Sequence, residues 1–416
     1  MDNIDKDILL NESKTFCMLP WMHIHATPLG KIFPCCVAKG HAIGHNSELS
    51  LREAFNSSEM KALRLDMLAE RKNPFCVDCH KHESEYNNGS FRMDANQRFG
   101  KHFDTVVPKT KDDGKVVNFT MRYLDIRFNN ICNFKCRTCN SEYSSQWERE
   151  DLVHKGIKLM SPNSTSNTVT LLEEAVQHIP YLEEVYFAGG EPLITSEHYT
   201  LLEEMIRQNR TDVILRYNTN LSVLSFKDKD LLSLWQHFQN KIQVVCSFDH
   251  YGQRAQYLRN GTIWPDIQEN YKKIRALPYV ETRIMTLLSV FNYLTMPDFI
   301  THLLMNDMLR PGDQTLLIYK MHSPEYLTPH ILPRHLKEQA RKRILEFAPL
   351  LNSKDAWLFE DEQILELTDC ITWAESKHTW EKFKYKFQEE VIRLDRIRQE
   401  SFVETFPELA ELLNDK

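Results

Sequence analysis

The chain lacks any long apolar run. No stretch reaches the roughly 18 uncharged apolar residues that a membrane helix needs, so a membrane-spanning segment is not expected. It also lacks an excess of basic charge: 51 Lys and Arg stand against 58 Asp and Glu, a formal net charge of −7 at pH 7. Nucleic-acid-binding surfaces are ordinarily basic, and no such partner is expected. The opening MDNIDKDILLNESK is acidic and polar, without the basic start and apolar core of a signal peptide, which points to a cytoplasmic protein. No internal repeat or low-complexity run is visible, which excludes a solenoid built from stacked copies of one unit.

What is present is a chain of 416 residues, 42% hydrophobic and 26% charged, enough for a sizeable core and two or three domains. It has ten cysteines. In a reducing compartment disulfides are not expected, and clustered cysteines bind metal or do chemistry. Eight of the ten lie in two groups before residue 140, and Cys246 and Cys370 stand apart as small buried hydrophobes.

After a loose leader over residues 1–14, residues 15–95 read as a loop-rich, cysteine-rich domain with one helical stretch, SELSLREAFNSSEMKALRLDMLAE. Residues 96–117 are polar with Gly and Pro and read as a linker. A different rhythm fills 118–330. MRYLDIRF, LEEVYFAGG, VILRYNTN, IQVVCSFD, ETRIMTLLSVF and TLLIYKM read as strands. Between them lie helical stretches such as SEHYTLLEEMIRQN and WPDIQENYKKIRAL. Six alternations of strand and helix predict an α/β fold with parallel strands, whose functional residues sit on the loops after the strands. From 331 to 416 the text turns helical and highly charged.

Directly after the first strand of that alternation, NNICNFKCRTCN places Cys132, Cys136 and Cys139 at C-x3-C-x2-C. Three thiolates in eight residues can converge on one face of a [4Fe–4S] cube. A fourth iron left open can bind a small molecule. Zinc is the competing reading, and would want a fourth ligand, with His154 the nearest downstream histidine.

This motif, its place after a strand and its aromatic residue Phe134 resemble the radical S-adenosylmethionine superfamily, over about residues 119–325. The resemblance implies a partial (β/α)6 barrel of the TIM type. It implies a [4Fe–4S] cluster whose open iron chelates S-adenosylmethionine, and one-electron cleavage to a 5′-deoxyadenosyl radical. Flavodoxin or ferredoxin would be the electron donor. Gly189, Gly190 and Glu191 match the family's GGE motif, which holds the methionine amino group; glycines allow close backbone approach and a carboxylate pairs with an ammonium. Thr219 and Asn220, with Asn218 as an alternative, resemble the ribose-contacting positions. Ser247 and Arg259 resemble those near the ribose and carboxylate, and Val290 and Asn292 those closing on the adenine. Asp249 falls on the substrate side and is the candidate catalytic residue. Taken one at a time, each is equally a polar strand end or a helix cap.

The first cysteine group reads Cys17, then Gly30 followed by x4-Cys35, then Cys76 and Cys79 at C-x2-C. This spacing resembles the auxiliary-cluster region of SPASM and twitch domains, with the shorter, one-cluster twitch form fitting better. It implies a second [4Fe–4S] cluster on Cys17, Cys35, Cys76 and Cys79, with Cys36 able to replace Cys35. In most relatives this region follows the barrel, whereas here it precedes it. Zinc on four thiolates is the alternative. The run CVDCH matches the c-type haem attachment signature, which needs export. His23, His25, His80 and His82 are candidate ligands or substrate contacts.

A closed auxiliary cluster would accept the electron of a substrate radical, giving a net oxidation: dehydrogenation or an oxidative cross-link of a peptide or small-molecule substrate. A redox-neutral modification such as epimerisation of a peptide, with a structural zinc or substrate-anchoring cluster, is the alternative. A regulatory cluster protein without turnover has no need of the GGE and ribose motifs. The tail LDRIRQESFVETFPEL either caps the barrel mouth or is plain helical packing.

Overall fold

A computed structural model describes residues 5–86, 89–157, 165–238, 242–309, 315–351 and 361–414. The first residues of the leader and parts of the C-terminal helical segment lie outside the described residues. The chain divides into two compact units. One comprises Met1–Ile131, Asp151–Arg216 and Ser233–Ile242, and the other Cys132–Glu150, Tyr217–Leu232 and Gln243–Lys416.

In the first unit the strands β1 (His25–Ala26), β2 (Lys31–Phe33), β3 (Gly44–His45), β4 (Tyr123–Ile126) and β6 (Glu184–Phe187) are neighbours in the order β3-β2-β1-β4-β6. β1 runs parallel to β4 in the register His25↔Asp125, and β4 parallel to β6 in the register Tyr123↔Glu184. All four residues of β4 are buried, as expected of a strand covered on both faces. The region expected to be loop-rich thus contributes strand pairing through two- and three-residue strands too short to show a period. Its helical stretch is two helices, Leu51–Phe55 and Ser58–Leu68. The first opens with a reciprocal cap between Ser50 and Glu53. The stretch 96–117 holds the end of the helix Phe91–Phe99 and the short helix Phe103–Val106. Arg64 ties these pieces together: fully buried, it donates to the carbonyls of Pro20 at 2.8 Å and Phe55 at 2.6 Å.

The second unit holds β5 (Lys135–Cys136), β8 (Ser225–Phe226), β9 (Lys229–Asp230), β11 (Arg259–Asn260), β12 (Val280–Leu288) and β13 (Leu316–Lys320). β7 (Ile214–Thr219) and β10 (Ile242–Ser247) run into it from the first unit's part of the chain. β12 buries alternate residues along its whole length and pairs in parallel with β13 from Ile284↔Leu316 to Leu288↔Lys320. The alternation of buried and half-buried side chains is the period of two that a strand imposes. Behind β12 and β13 come the helices Met296–Met305 and Arg334–Leu351. Asp361–Glu375 and Trp380–Arg398 complete the C-terminal segment. Phe291, Phe387, Phe402 and Phe406 form an aromatic core there, with Tyr257 edge-on to Phe406 at 5.3 Å.

Along the chain β4, β6, β7, β10, β12 and β13 are each followed by a helix, which is the expected (β/α)6 succession of a partial barrel in the α/β class. No described helix is long and apolar enough to cross a membrane.

Candidate iron–sulfur sites

In the first unit Cys17 precedes the helical turn Leu19–Trp21, Cys35 follows β2, Cys76 closes the turn Pro74–Cys76, and Cys79 lies on the helix Val77–Tyr86. All four line one small cavity, walled also by apolar side chains such as Leu19, Leu63, Met67 and Phe75 and by Arg92. Gly30, in the turn from β1 to β2, has φ +79°, and a Cβ there would lie 2.2 Å from Asn46 Oδ1. Only glycine fits this turn, which delivers Cys35 to the cavity.

Burial pushes the Cys17 and Cys35 thiols up, and the neighbouring thiols add to it; Cys76 is pushed up to about 12 by burial and by Cys79. Thiols gathered in an apolar cavity stay protonated until a metal displaces their protons. One cation opposes this trend. Arg92, 4% exposed, bears on Cys17, Cys76 and Cys79, and its main-chain N–H donates to Cys79. Its guanidinium grips Glu83 at 2.8 and 2.9 Å and donates to the carbonyls of Ser13 and Phe16.

Cys36, although adjacent to Cys35, does not line this cavity. Its thiol is bonded to the Asp125 side chain, and burial and that carboxylate push it up. Asp125 is fully buried. Burial would raise its carboxyl, but Arg127 at 2.6 Å and His25 at 3.3 Å outweigh burial and hold it well below the usual carboxylate range. His23 and His25 are tied to β4 itself: His23 Nδ1 lies 2.8 Å from the Tyr123 carbonyl, His25 Nδ1 2.9 Å from that of Asp125. Burial brings His23 down to about 4, so it is neutral. His80 and His82 sit on the helix of Cys79, half-buried and exposed.

The same unit carries the GGE turn after β6. Gly189 has φ +127°, and a Cβ on Gly190 would lie 2.1 Å from the carbonyl oxygen of Ile131, the residue before Cys132. Glu191 donates its N–H to that carbonyl at 2.8 Å, and its carboxylate accepts from Leu193 N at 3.1 Å. Gly190, Glu191, Asn129 and His198 line one small cavity.

In the second unit the loop Cys132–Cys139 is pinned at several points. β5 pairs with β11 in the register Cys136↔Arg259. Trp147 Nε1 donates to the Cys136 carbonyl at 2.7 Å, and Ser144 Oγ to that of Phe134 at 2.7 Å. Phe134 is buried against Gly261, where φ is +117° and a Cβ would meet its ring at 2.6 Å. Burial pushes Cys139 up to about 12. Arg259 stands between Cys136 Sγ, at 3.7 Å, and Asp249, at 2.8 Å. Asp249 also accepts from Leu287 N at 2.8 Å, so both its oxygens are engaged.

Asn220 reaches the loop through Asn133 at 3.0 Å, and Thr219 accepts from Leu221 N at 2.9 Å. Asn218 and Ser247 are half-buried at the ends of β7 and β10. Val290 and Asn292 are fully buried. Asn292 donates to the carbonyls of Asp249 and Leu287 and accepts from Ser289 N, so it knits the ends of β10 and β12. Within this unit the fold gathers Cys136, Arg259, Asp249, Asn292, Asn220 and the cysteine loop. Cys246 and Cys370 are buried in the core. Arg92, Arg137, Arg398 and Glu150 had no motif to announce them.

Among the described residues no group of three or more His, Cys, Asp or Glu side chains closes on a single ion. A lone zinc needs its four ligands within about 2.0–2.3 Å. Cys17, Cys35, Cys76 and Cys79 share one cavity.

Residues 17–80 match the SPASM family, an iron–sulfur cluster-binding domain. The SPASM match spans the first cysteine group, and the three-cysteine loop follows a strand of the (β/α)6 succession, the arrangement that a resemblance to the radical S-adenosylmethionine superfamily implies. No curated protein sequence matches this chain. Solved structures similar to it include native anSMEcpe with bound AdoMet, at 16% identity and TM-score 0.39 over 57% of this chain and 62% of that one. Streptococcus suis SuiB bound to S-adenosylmethionine is similar at 15% identity and TM-score 0.35, over 73% of this chain and 66% of that one. The chain thus spans less than two thirds of the first of these structures.

Proposed function

We propose that this protein is a radical S-adenosylmethionine enzyme that oxidises its substrate, with a SAM-binding [4Fe–4S] cluster on Cys132, Cys136 and Cys139 and an auxiliary [4Fe–4S] cluster on Cys17, Cys35, Cys76 and Cys79. The first cluster and S-adenosylmethionine supply, when bound, a 5′-deoxyadenosyl radical for hydrogen abstraction, and the second supplies a sink for the substrate's electron. The observation that carries the oxidative reading is the convergence of four thiols on one apolar cavity. Four protein ligands leave no iron free to anchor a substrate, so electron transfer is the role that remains.

The chain's own residues then divide the work. The GGE turn brings backbone and a carboxylate to the methionine ammonium, and Gly190 lets that turn lie against the Ile131 carbonyl. Arg259 offers a buried cation beside Cys136 for the methionine carboxylate, exchanging it for Asp249. Asp249, the carboxylate beside Arg259, would lie on the substrate side. Asn220, together with Thr219 or Asn218, and Ser247 present polar groups at strand ends to the ribose. Val290 and Asn292 shape the adenine end. The substrate is a peptide or a small molecule, and the reducing electron comes from a flavodoxin or ferredoxin.

The test is turnover. Reconstituted, reduced protein given S-adenosylmethionine releases 5′-deoxyadenosine, and the Cys132→Ala/Cys136→Ala/Cys139→Ala variant releases none. Equal release from both would overturn the assignment of the loop.

A further inference from the structure

We infer that the C-terminal segment around Asp395–Glu400 is a positioning brace for the loop Cys132–Cys139. The inference rests on reading that loop as the SAM-cluster site. The loop has little structure of its own: its one strand is two residues long and the loop contains no helix. Its definition comes from outside. Arg137, between Cys136 and Cys139, turns its side chain into an acidic and aromatic box and is 1% exposed. One guanidinium nitrogen reaches Asp395 at 2.6 Å and Glu400 at 2.7 Å, and the guanidinium lies over the Tyr257 ring at 3.6 Å. Its main-chain N–H donates to the Leu258 carbonyl at 2.7 Å.

Two further charged contacts complete the brace. Arg398, fully buried, forks onto both Glu150 oxygens at 2.9 and 3.1 Å and donates to the Lys135 carbonyl at 2.9 Å. Lys135 pairs with the same Glu150 at 3.0 Å. Burial alone would raise the Glu150 carboxyl, but these two cations outweigh it and hold it below its ordinary value.

The charges balance in two clusters. Lys135, Arg137 and Arg398 face Glu150, Asp395 and Glu400, three cations to three carboxylates. Half of the six come from the C-terminal segment, more than 250 residues downstream of the loop. The chain is shaped to present them. The helix Trp380–Arg398 ends at Gln399 in a left-handed conformation, φ 54°, and Asp395 accepts from Phe402 N at 2.6 Å as the chain turns. Buried bidentate pairs fix geometry as well as charge, and a loop that must present three thiols to one cube needs fixed geometry. These side chains bond to the loop's main chain and to one another, so they act through the loop.

The test uses the full chain, reconstituted with iron and sulfide, with three readouts: iron content, the electron paramagnetic resonance change on adding S-adenosylmethionine, and circular dichroism. Arg398→Gln and Arg137→Gln are expected to lose about half the iron and the SAM-dependent spectral change. They should keep the iron on Cys17, Cys35, Cys76 and Cys79. Arg398→Lys should restore part of both. Glu150→Gln/Arg398→Gln removes the buried pair and leaves only Lys135, which reaches solvent, without its carboxylate, so it should fold and still lose the SAM response. Full iron and an unchanged SAM response in that double variant would overturn the inference alone. A wild type with no iron on Cys132, Cys136 and Cys139 would overturn the underlying reading as well.

Discussion

The two cysteine sites solve the same problem by opposite means. The site in the first unit draws its four thiols from three separate stretches and sets them around a largely apolar cavity. The site in the second unit takes three thiols from one eight-residue loop and surrounds the loop with charge. In the first, a bound cluster would be the main cross-link among four protonated thiols, with Arg92 beside three of them. In the second, ion pairs and hydrogen bonds hold the loop before any metal arrives. The difference teaches that loss of ligands is structural at one site and local at the other.

The largest expected effect follows from that contrast. Cys76→Ala/Cys79→Ala should lose about four irons and lower the melting temperature of the reconstituted protein clearly, because cluster binding there is coupled to folding. The SAM-responsive signal of the second unit should survive. An unchanged melting temperature would erase the contrast between the two sites.

Next comes the choice between adjacent thiols. Cys35→Ser should empty the first-unit site, whereas Cys36→Ser should leave its iron in place, since Cys36 faces Asp125. Equal iron loss from both variants would contradict the separation. Third, Gly190→Ala places a methyl 2.1 Å from the Ile131 carbonyl oxygen. Displacing backbone costs about 1–3 kcal/mol, so S-adenosylmethionine binding measured by equilibrium dialysis should weaken roughly tenfold or more. Unchanged binding would remove the GGE turn from the site.

The smallest effect is expected at Arg92. Arg92→Gln removes the buried cation bearing on Cys17, Cys76 and Cys79. The midpoint potential of the auxiliary cluster should become more negative by tens of millivolts, on a scale where about 59 mV is tenfold for one electron. An unchanged potential would show that the charge does not reach the cluster.

Much of this was legible in the sequence because it is local. Strands such as Val280–Leu288 announce themselves through β-branched and apolar content, and Cys132, Cys136 and Cys139 through spacing. Other features were not, for physical reasons. Cys35 and Cys36 are neighbours in sequence, yet their side chains part to different surroundings, which spacing cannot express. Strands of two or three residues, such as His25–Ala26, are too short to show a period. The stretch around 96–117 is polar because its helices are short and half-exposed, and polarity alone read as linker. Arg398 and Glu150 are 248 residues apart, so each looked like one more charge on a solvated helix.

Iron and sulfide counting on anaerobically reconstituted protein tests the central claim most directly, comparing wild type with Cys132→Ala/Cys136→Ala/Cys139→Ala. Two [4Fe–4S] clusters predict about eight irons falling to about four, with the remaining cluster on Cys17, Cys35, Cys76 and Cys79. About four irons falling to near zero, with zinc bound to the protein, would make the first-unit cysteines structural and contradict the oxidative account.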